Sequence, residues 1–171
     1  MYINNNLNQK LSKYFNIKSN SILLLKTNNQ FNIGSKKEFD TFINLEPINN
    51  IRRINKFHEE VNLKLNIGNF YVICSEHLEQ RRIRVWEKTP FGFKNIVRII
   101  DFLYKRVIPK LPILKKIYFS ITRGHNRLLS KAEILGRLLS CGFEIVEYFE
   151  NDNLLYVISK KNKKPDYNLS P

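Results

Sequence analysis

Four residues within nine positions, Arg123, His125, Arg127 and Lys131, are the first candidates for chemistry in this chain. Guanidinium forks suit phosphate oxygens, and a helix starting after Ser130 would add the favourable partial charge of its N-terminus. These four are expected to bind an anion or a partner. The plainer expectation is a solvated basic face in which Arg123 or Arg127 pairs with a nearby acid. A second cluster, Asn44, Glu46, Asn50, Arg52 and Arg53, follows a predicted strand, at the edge where open α/β sheets place ligands. Glu46 would there hold a hydroxyl or an amine. The plainer expectation is a loop in which Asn50 caps the next helix. No acid–base pair accompanies Glu46, so no catalytic residue is assigned. His58 is read as a partly exposed helix residue. The three histidines are scattered and the two cysteines, Cys74 and Cys141, form no CxxC pair, so no metal site is expected. Both thiols are read as buried and reduced.

The elements that must position these residues are legible in the hydrophobic pattern. Ser130 with Glu133 predicts a capping box and a helix from about Lys131, with Ile134, Leu135, Leu138 and Leu139 as its apolar stripe. Gly142 falls where a left-handed C-cap belongs. Phe143, Ile145, Val146 and Tyr148 then predict a strand, Asn151-Asp152-Asn153 a turn, and Leu154–Ile158 its hairpin partner. Earlier, Leu7, Leu11 and Phe15 suit a short helix. Ser21–Lys26 reads as a buried strand. Phe39–Leu45 reads as another, with Phe39, Thr41, Ile43 and Leu45 on one face and Phe42 on the other. Ile51, Ile54, Phe57, Val61 and Leu65 are spaced as one face of a helix, Gly68 stops it, and Asn69–Cys74 has the near-continuous apolar run of a doubly buried parallel strand. Strand, helix and strand at this spacing form a βαβ unit. Residues Thr27–Gly34, after the first strand, contain one glycine and no G-x-G, so no dinucleotide or phosphate cradle is expected.

The charge is strongly localised. The 171-residue chain carries a formal +14 with a pI near 9.8. Eleven Lys and Arg lie between Val85 and Lys131 against only Glu87 and Asp101, so about +9 of the total sits there. Glu76–Arg84 reads as an exposed helix or linker. The region 85–121 reads as a basic helical insertion, broken at Pro109 and Pro112 and resumed over Ile113–Ile121. Lys94, Arg98, Lys105, Arg106, Lys110, Lys115 and Lys116 alternate there with Trp86, Phe91, Phe93, Tyr104, Tyr118 and Phe119, which suits an anionic membrane surface. The competing expectation is two amphipathic helices whose apolar faces cover the sheet. RNA binding is a third reading, but no RNP-type or GxxG phrase is present, so nucleic acid is not the expected partner. No apolar run approaches the ~20 residues of a membrane span, and the N-terminus lacks a signal-peptide core. A cytoplasmic protein at the inner face of the cell membrane is therefore expected. Length and a 43% hydrophobic share predict one globular domain, over residues 1–164. The polar, basic tail from Lys160 reads as a linker, with its last residues 165–171 leading out of the domain.

Two segments resemble the C-terminal half of a class I methyltransferase: FDTFINLEPINNIRRINKFHEEVNLKLNIGNFYVIC, and LSKAEILGRLLSCGFEIVEYFENDNLLYVISKK. The resemblance implies a truncated, Rossmann-like α/β sheet, mainly parallel with a C-terminal antiparallel hairpin. The glycine-rich cofactor loop and the acidic ribose-binding residue of that family have no counterpart here, and no cofactor is expected. A closer phrase-order likeness covers roughly the last three quarters of the chain: NLEPINNIRRINKF, IPKLPILKKIYFSITRGHNRLLSKAEILGRLLSCGFEI and KKNKKPDYNLSP. These resemble the N-terminal region fused to bacterial monotopic polyprenyl-phosphate phosphoglycosyl transferases of exopolysaccharide and O-antigen synthesis. The resemblance implies a non-catalytic accessory domain whose partner is the sugar transferase domain of the same full-length protein, itself a glycosyl-1-phosphate transferase. His125 stands where that phrase would hold another basic residue. The alternatives are a small S-adenosylmethionine-dependent methyltransferase with a non-standard cofactor loop, and a basic RNA-binding domain.

Overall fold

The structure, a computed structural model, describes residues 4–17, 19, 21–29, 39–103, 107, 111 and 127–165. The elements in chain order are α1 (Asn5–Leu11), β1 (Ile22–Leu25), β2 (Thr41–Asn44), a 3-10 turn (Ile48–Asn50), α2 (Ile54–Lys64) and β3 (Phe70–Ser75). They continue with α3 (Leu78–Lys88), a second 3-10 turn (Phe91–Phe93), α4 (Lys94–Phe102), α5 (Lys131–Ser140), β4 (Phe143–Asn151) and β5 (Leu154–Lys161). The strand order is β1-β2-β3-β5-β4. β1, β2 and β3 pair in parallel, and β5 pairs antiparallel with both β3 and β4. Four strands thus run one way and β5 the other, giving the expected α/β sheet, mostly parallel with a C-terminal hairpin.

Alternation along β3 divides the interior into two layers. Tyr71 and Ile73 face a core with Phe42, Phe57, Val61, Leu138, Phe143 and Val157, closed by α2 and α5. Val72 and Cys74 face the other side with Ile43, Ile158, Leu7 and Leu11, closed by α1. The strands β2 and β3 are buried on both faces, which is why their sequences are apolar without a polar alternation. The hairpin turn is made by Asp152 and Asn153 at φ 49° and 58°, left-handed values that Asp and Asn tolerate and that match strand twist.

Several local expectations are corrected. β1 is a half-buried edge strand rather than a buried one. The regular strand β2 begins only at Thr41, so Phe39 does not share a face with Ile43; its ring lies 5.6 Å from that of Phe42 in the larger core. The chain bends at Asp40, and the period of two does not run back through it. Helix α2 begins at Ile54, with Arg53 at its N-cap position and no side-chain cap. Asn50 instead closes the 3-10 turn that Pro47 opens, so it is not the cap. Ser130 Oγ does accept from Glu133 N at 3.2 Å, but Glu133 turns its carboxylate to Arg137 at 2.8 Å, leaving a one-way cap rather than a box. Leu139 is half exposed, and only Ile134 and Leu138 of the α5 stripe are buried. The tail from Lys160 is not all linker: Lys161 is buried in β5, its ammonium donating to the carbonyls of Asn62 and Leu65 at 2.7 Å each. Residues 166–171 lie outside the described residues.

His58 is fully buried, not partly exposed. Its Nδ1 lies 3.0 Å from the Tyr71 hydroxyl. Burial, then the charge of Arg137, lowers its pKa from 6.5 to about 3. The unfolded chain takes up a proton near 6.5 and the folded chain does not until about 3. Stability is therefore complete above pH 6.5 and falls as pH drops below it, by up to ~1.4 kcal/mol per unit. Urea midpoints at pH 7 and pH 5 should show this loss, and H58F should flatten it. Gly142 lies at φ +85°, and a Cβ there would stand 2.4 Å from the Lys163 carbonyl oxygen. G142A should cost about 3 kcal/mol or more in the same assay.

Candidate functional site

The sheet ends where a ligand crevice was expected are stitched by side-chain amides. Asn44, the last residue of β2, is fully buried. Its Oδ1 accepts from Thr27 N at 3.0 Å and its Nδ2 donates to Thr27 O at 2.9 Å. The loop after β1 is thereby clamped to the end of β2. Glu46 N also donates to Asn44 Oδ1, at 3.3 Å, and Glu46 Oε1 accepts from Asn50 Nδ2 at 2.8 Å. Arg52 and Arg53 are exposed and form no ion pair with Glu46. The structure joins Asn44, Glu46 and Asn50 in one loop-bracing chain and leaves the two arginines outside it.

Asn49, which sequence reasoning passed over for its neighbour Asn50, is the busiest polar residue of this loop. Its Nδ2 donates to the carbonyls of Glu76 and Arg127 at 2.8 Å each. Its Oδ1 accepts from Ser75 Oγ at 3.0 Å and Glu76 N at 2.8 Å. One buried amide thus ties the β2–α2 loop to the end of β3 and to the segment entering α5. His77 follows at once as the N-cap of α3. Its Nδ1 accepts from Glu79 N at 3.2 Å, so Nε2 carries the proton and donates to Glu150 Oε1 at 2.9 Å. Gln80 Oε1 accepts from His77 N, completing a capping box built on His and Gln. That hydrogen bond from His77 is the chief cause that lowers the Glu150 pKa. The cue was H-x-x-Q in a stretch that composition alone marked as charged and exposed.

The helix pair after His77 has an unusual surface. Thr89 takes an extended conformation before Pro90, which ends α3. Arg81 Nη2 reaches Asp101 at 3.0 Å and ties α4 to α3, while Glu76, just before α3, is gripped by Arg84 through two bonds and lies 3.8 Å from Arg81 Nη1. No residue of α4 is buried. Ile96, Ile99, Ile100 and Phe102 are each more than half exposed, as are Ile83 on α3 and Phe93 between the helices. The apolar side chains of α4 therefore do not cover the sheet. A groove of about 930 Å³ lies between the two helices. Lys94 Nζ sits 4.7 Å above the Trp86 ring, and Arg98 is exposed one turn further on.

The basic cluster before α5 is divided. Arg123 and His125 lie outside the described residues. Arg127 is turned to the protein, its Nη1 donating to Arg52 O at 3.2 Å and its N to Asn49 O at 3.0 Å. Lys131 lies 4.2 Å above the Tyr148 ring. Arg127 and Lys131 thus have different partners. Of the basic residues assigned to a membrane surface, Lys94 and Arg98 are on α4, and Lys105, Arg106, Lys110, Lys115 and Lys116 lie outside the described residues, as does the helix expected over 113–121. Both cysteines are buried and unpaired with each other. Burial pushes the Cys74 thiol up to about 12 and that of Cys141 to about 11, so neither is a thiolate nucleophile near neutral pH. Among the described residues no group of His, Cys, Asp and Glu is placed to hold a metal ion, and no helix is long and apolar enough to cross a membrane.

No family model and no curated protein matches the chain. Among solved structures it is similar to a possible exported protein from Bordetella parapertussis, at 11% identity and a TM-score of 0.44. That similarity covers 79% of this chain and 43% of the other, so the chain spans less than half the length of that protein.

Replacing Asn49 by alanine would strand the Ser75 hydroxyl and the Glu76 and Arg127 backbone groups. N49A should lower stability by about 3 kcal/mol, since each buried orphan costs about 1–3 kcal/mol. Urea denaturation monitored by circular dichroism measures it.

Proposed function

We propose that this chain is a non-catalytic accessory domain of a membrane-associated bacterial sugar transferase, of the undecaprenyl-phosphate sugar phosphotransferase kind, in exopolysaccharide or O-antigen synthesis. Its sheet is read as a truncated methyltransferase-like one. The reading draws support from parallel strands followed by a hairpin whose last strand inserts antiparallel beside β3. The two amides of Asn44 and Asn49 occupy the strand ends with backbone partners. This favours a scaffold over a methyl-transfer cleft. The sugar transferase domain of the same full-length protein is the expected covalent partner.

The observation that carries the reading is the exposed face of α3 and α4. An amphipathic helix with Ile96, Ile99, Ile100 and Phe102 half or more in water, and with Lys94 and Arg98 beside them, has the chemistry of an interfacial helix lying on an anionic leaflet. The chain's excess charge supplies long-range attraction to the same surface. RNA would also answer that charge, but Ile96, Ile99 and Ile100, which make up most of the exposed α4 face, offer no base-stacking surface.

Co-sedimentation with phosphatidylcholine vesicles should be weak, and adding phosphatidylglycerol should make it strong and salt-sensitive. With about 1 kcal/mol per cation near the surface, K94Q/R98Q should weaken it roughly thirtyfold. Indifference to lipid charge would remove the membrane role. Calorimetry with S-adenosylmethionine should be flat; a saturable heat would overturn the reading that the chain takes no cofactor.

A further inference from the structure

A flat docking face needs no groove, yet α3 and α4 enclose one whose volume falls within the range of small-molecule sites. Its apolar walls include Ile83, Trp86, Ile99, Phe102, Leu103 and Leu128. Two arginines also line it, Arg82 from α3 and Arg98 from α4. Both are exposed, and among the described residues neither enters an ion pair. Their neighbours contrast with them: Arg81 and Arg84 are consumed by Asp101 and Glu76, and Lys94 lies on Trp86. The acids on the same lining are Glu87 and Asp101, and Asp101 is already neutralised by Arg81. The groove therefore combines a long apolar floor with two unspent guanidiniums, a donor type that grips phosphate or carboxylate through paired bonds.

We infer that this groove binds one hydrocarbon chain of an anionic amphiphile, with its phosphate or carboxylate head held by Arg82 and Arg98. The inference rests on the docking reading for the source of the lipid, but it is stricter. It requires saturable capture of a single chain rather than adhesion to a surface. A neutral-headed chain would gain only the apolar contact, and a headless anion only the guanidiniums.

Trp86 is the single tryptophan of the chain and lines the groove, so its emission reports occupancy directly. The probe is dodecyl phosphate below its micelle concentration, without vesicles, with dodecyl maltoside as the same chain on a neutral head. Dodecyl phosphate should give a saturable blue shift at one molecule per chain. Dodecyl maltoside, and dodecyl phosphate with R82Q/R98Q, should each bind about tenfold or more weakly. I99E, at an exposed wall position, should abolish the shift with an unchanged circular dichroism spectrum. An unsaturable shift, equal affinity for the two heads, or full binding by R82Q/R98Q would overturn the site. If anionic vesicles still bind while dodecyl phosphate gives no shift, the groove assignment falls and the docking reading stands. If dodecyl phosphate binds and vesicles do not, the groove stands and the docking reading falls.

Discussion

Three buried asparagines hold this fold together at the points where secondary structure runs out. Asn44 clamps the loop after β1. Asn49 joins the loop after β2 to the end of β3 and to the approach to α5. Asn62 on α2 donates to the carbonyls of Cys141 and Lys163, bracing the helix against the end of α5 and the segment that leaves β5. A parallel sheet ends in backbone groups that have no strand partner, and buried groups of that kind must be paired or cost free energy. Here side-chain amides pair them, each bridging segments distant in sequence. The geometry near Gly142 follows from the same need. The Asn162 and Lys163 N–H groups both donate to the Gly142 carbonyl, and the chain approaches so closely that only hydrogen fits at that α-carbon.

This solution has a consequence for where ligand chemistry can sit. In open α/β sheets the strand ends beside a change of direction are the usual ligand crevice, because loops there diverge and leave donors unspent. In this chain the loops are drawn together and the donors are spent on one another. Asn44 braces backbone, the Glu46 carboxylate is taken up by the Asn50 amide, His58 is held neutral inside α2 against Tyr71, and the thiols are protonated by burial. Among the described residues, arginines without an ion pair stand beside an apolar groove on the α3–α4 pair, where Arg82 and Arg98 line it. His77 starts that pair at the end of β3 and is itself locked to Glu150, so the helices leave the sheet from a rigid point.

The regular elements were legible because each is written in a period. The doubly buried β3, the α2 stripe, the left-handed Gly142 and the Asp152-Asn153 hairpin all follow from local chemistry. What escaped depends on distance. Nothing in the sequence around Asn49 marks it above Asn50, since its partners Glu76 and Arg127 are 27 and 78 residues away. Placing Phe39 on one face with Ile43 failed at a bend at Asp40, which an alternation count cannot see. Glu133 matched the capping-box spacing, yet Arg137 four residues on competes for its carboxylate and wins at 2.8 Å, an ion pair outbidding a neutral bond. The basic excess of 85–121 was visible in composition. That the apolar residues of α4 would stay outside the core was not, because periodicity reports which residues share a face and never what that face meets.

The exposed helix α4 is thermodynamically incomplete as it stands. No residue of Lys94–Phe102 is buried, so this stretch draws little from packing of an apolar face, the source of most helical stability in proteins. Among the described residues its ties to the fold are the Arg81–Asp101 pair and the contact with α3, and partly exposed ion pairs contribute little. Burying Ile96, Ile99, Ile100 and Phe102 is the term that would complete it, and that surface is offered outward. Any apolar phase that takes these side chains therefore binds and orders the helix in one step, so affinity and helix stability must rise together. A scaffold rigid to the end of β3 and marginal just beyond it is the arrangement in which such coupling stays local, leaving the two packed layers of the sheet undisturbed.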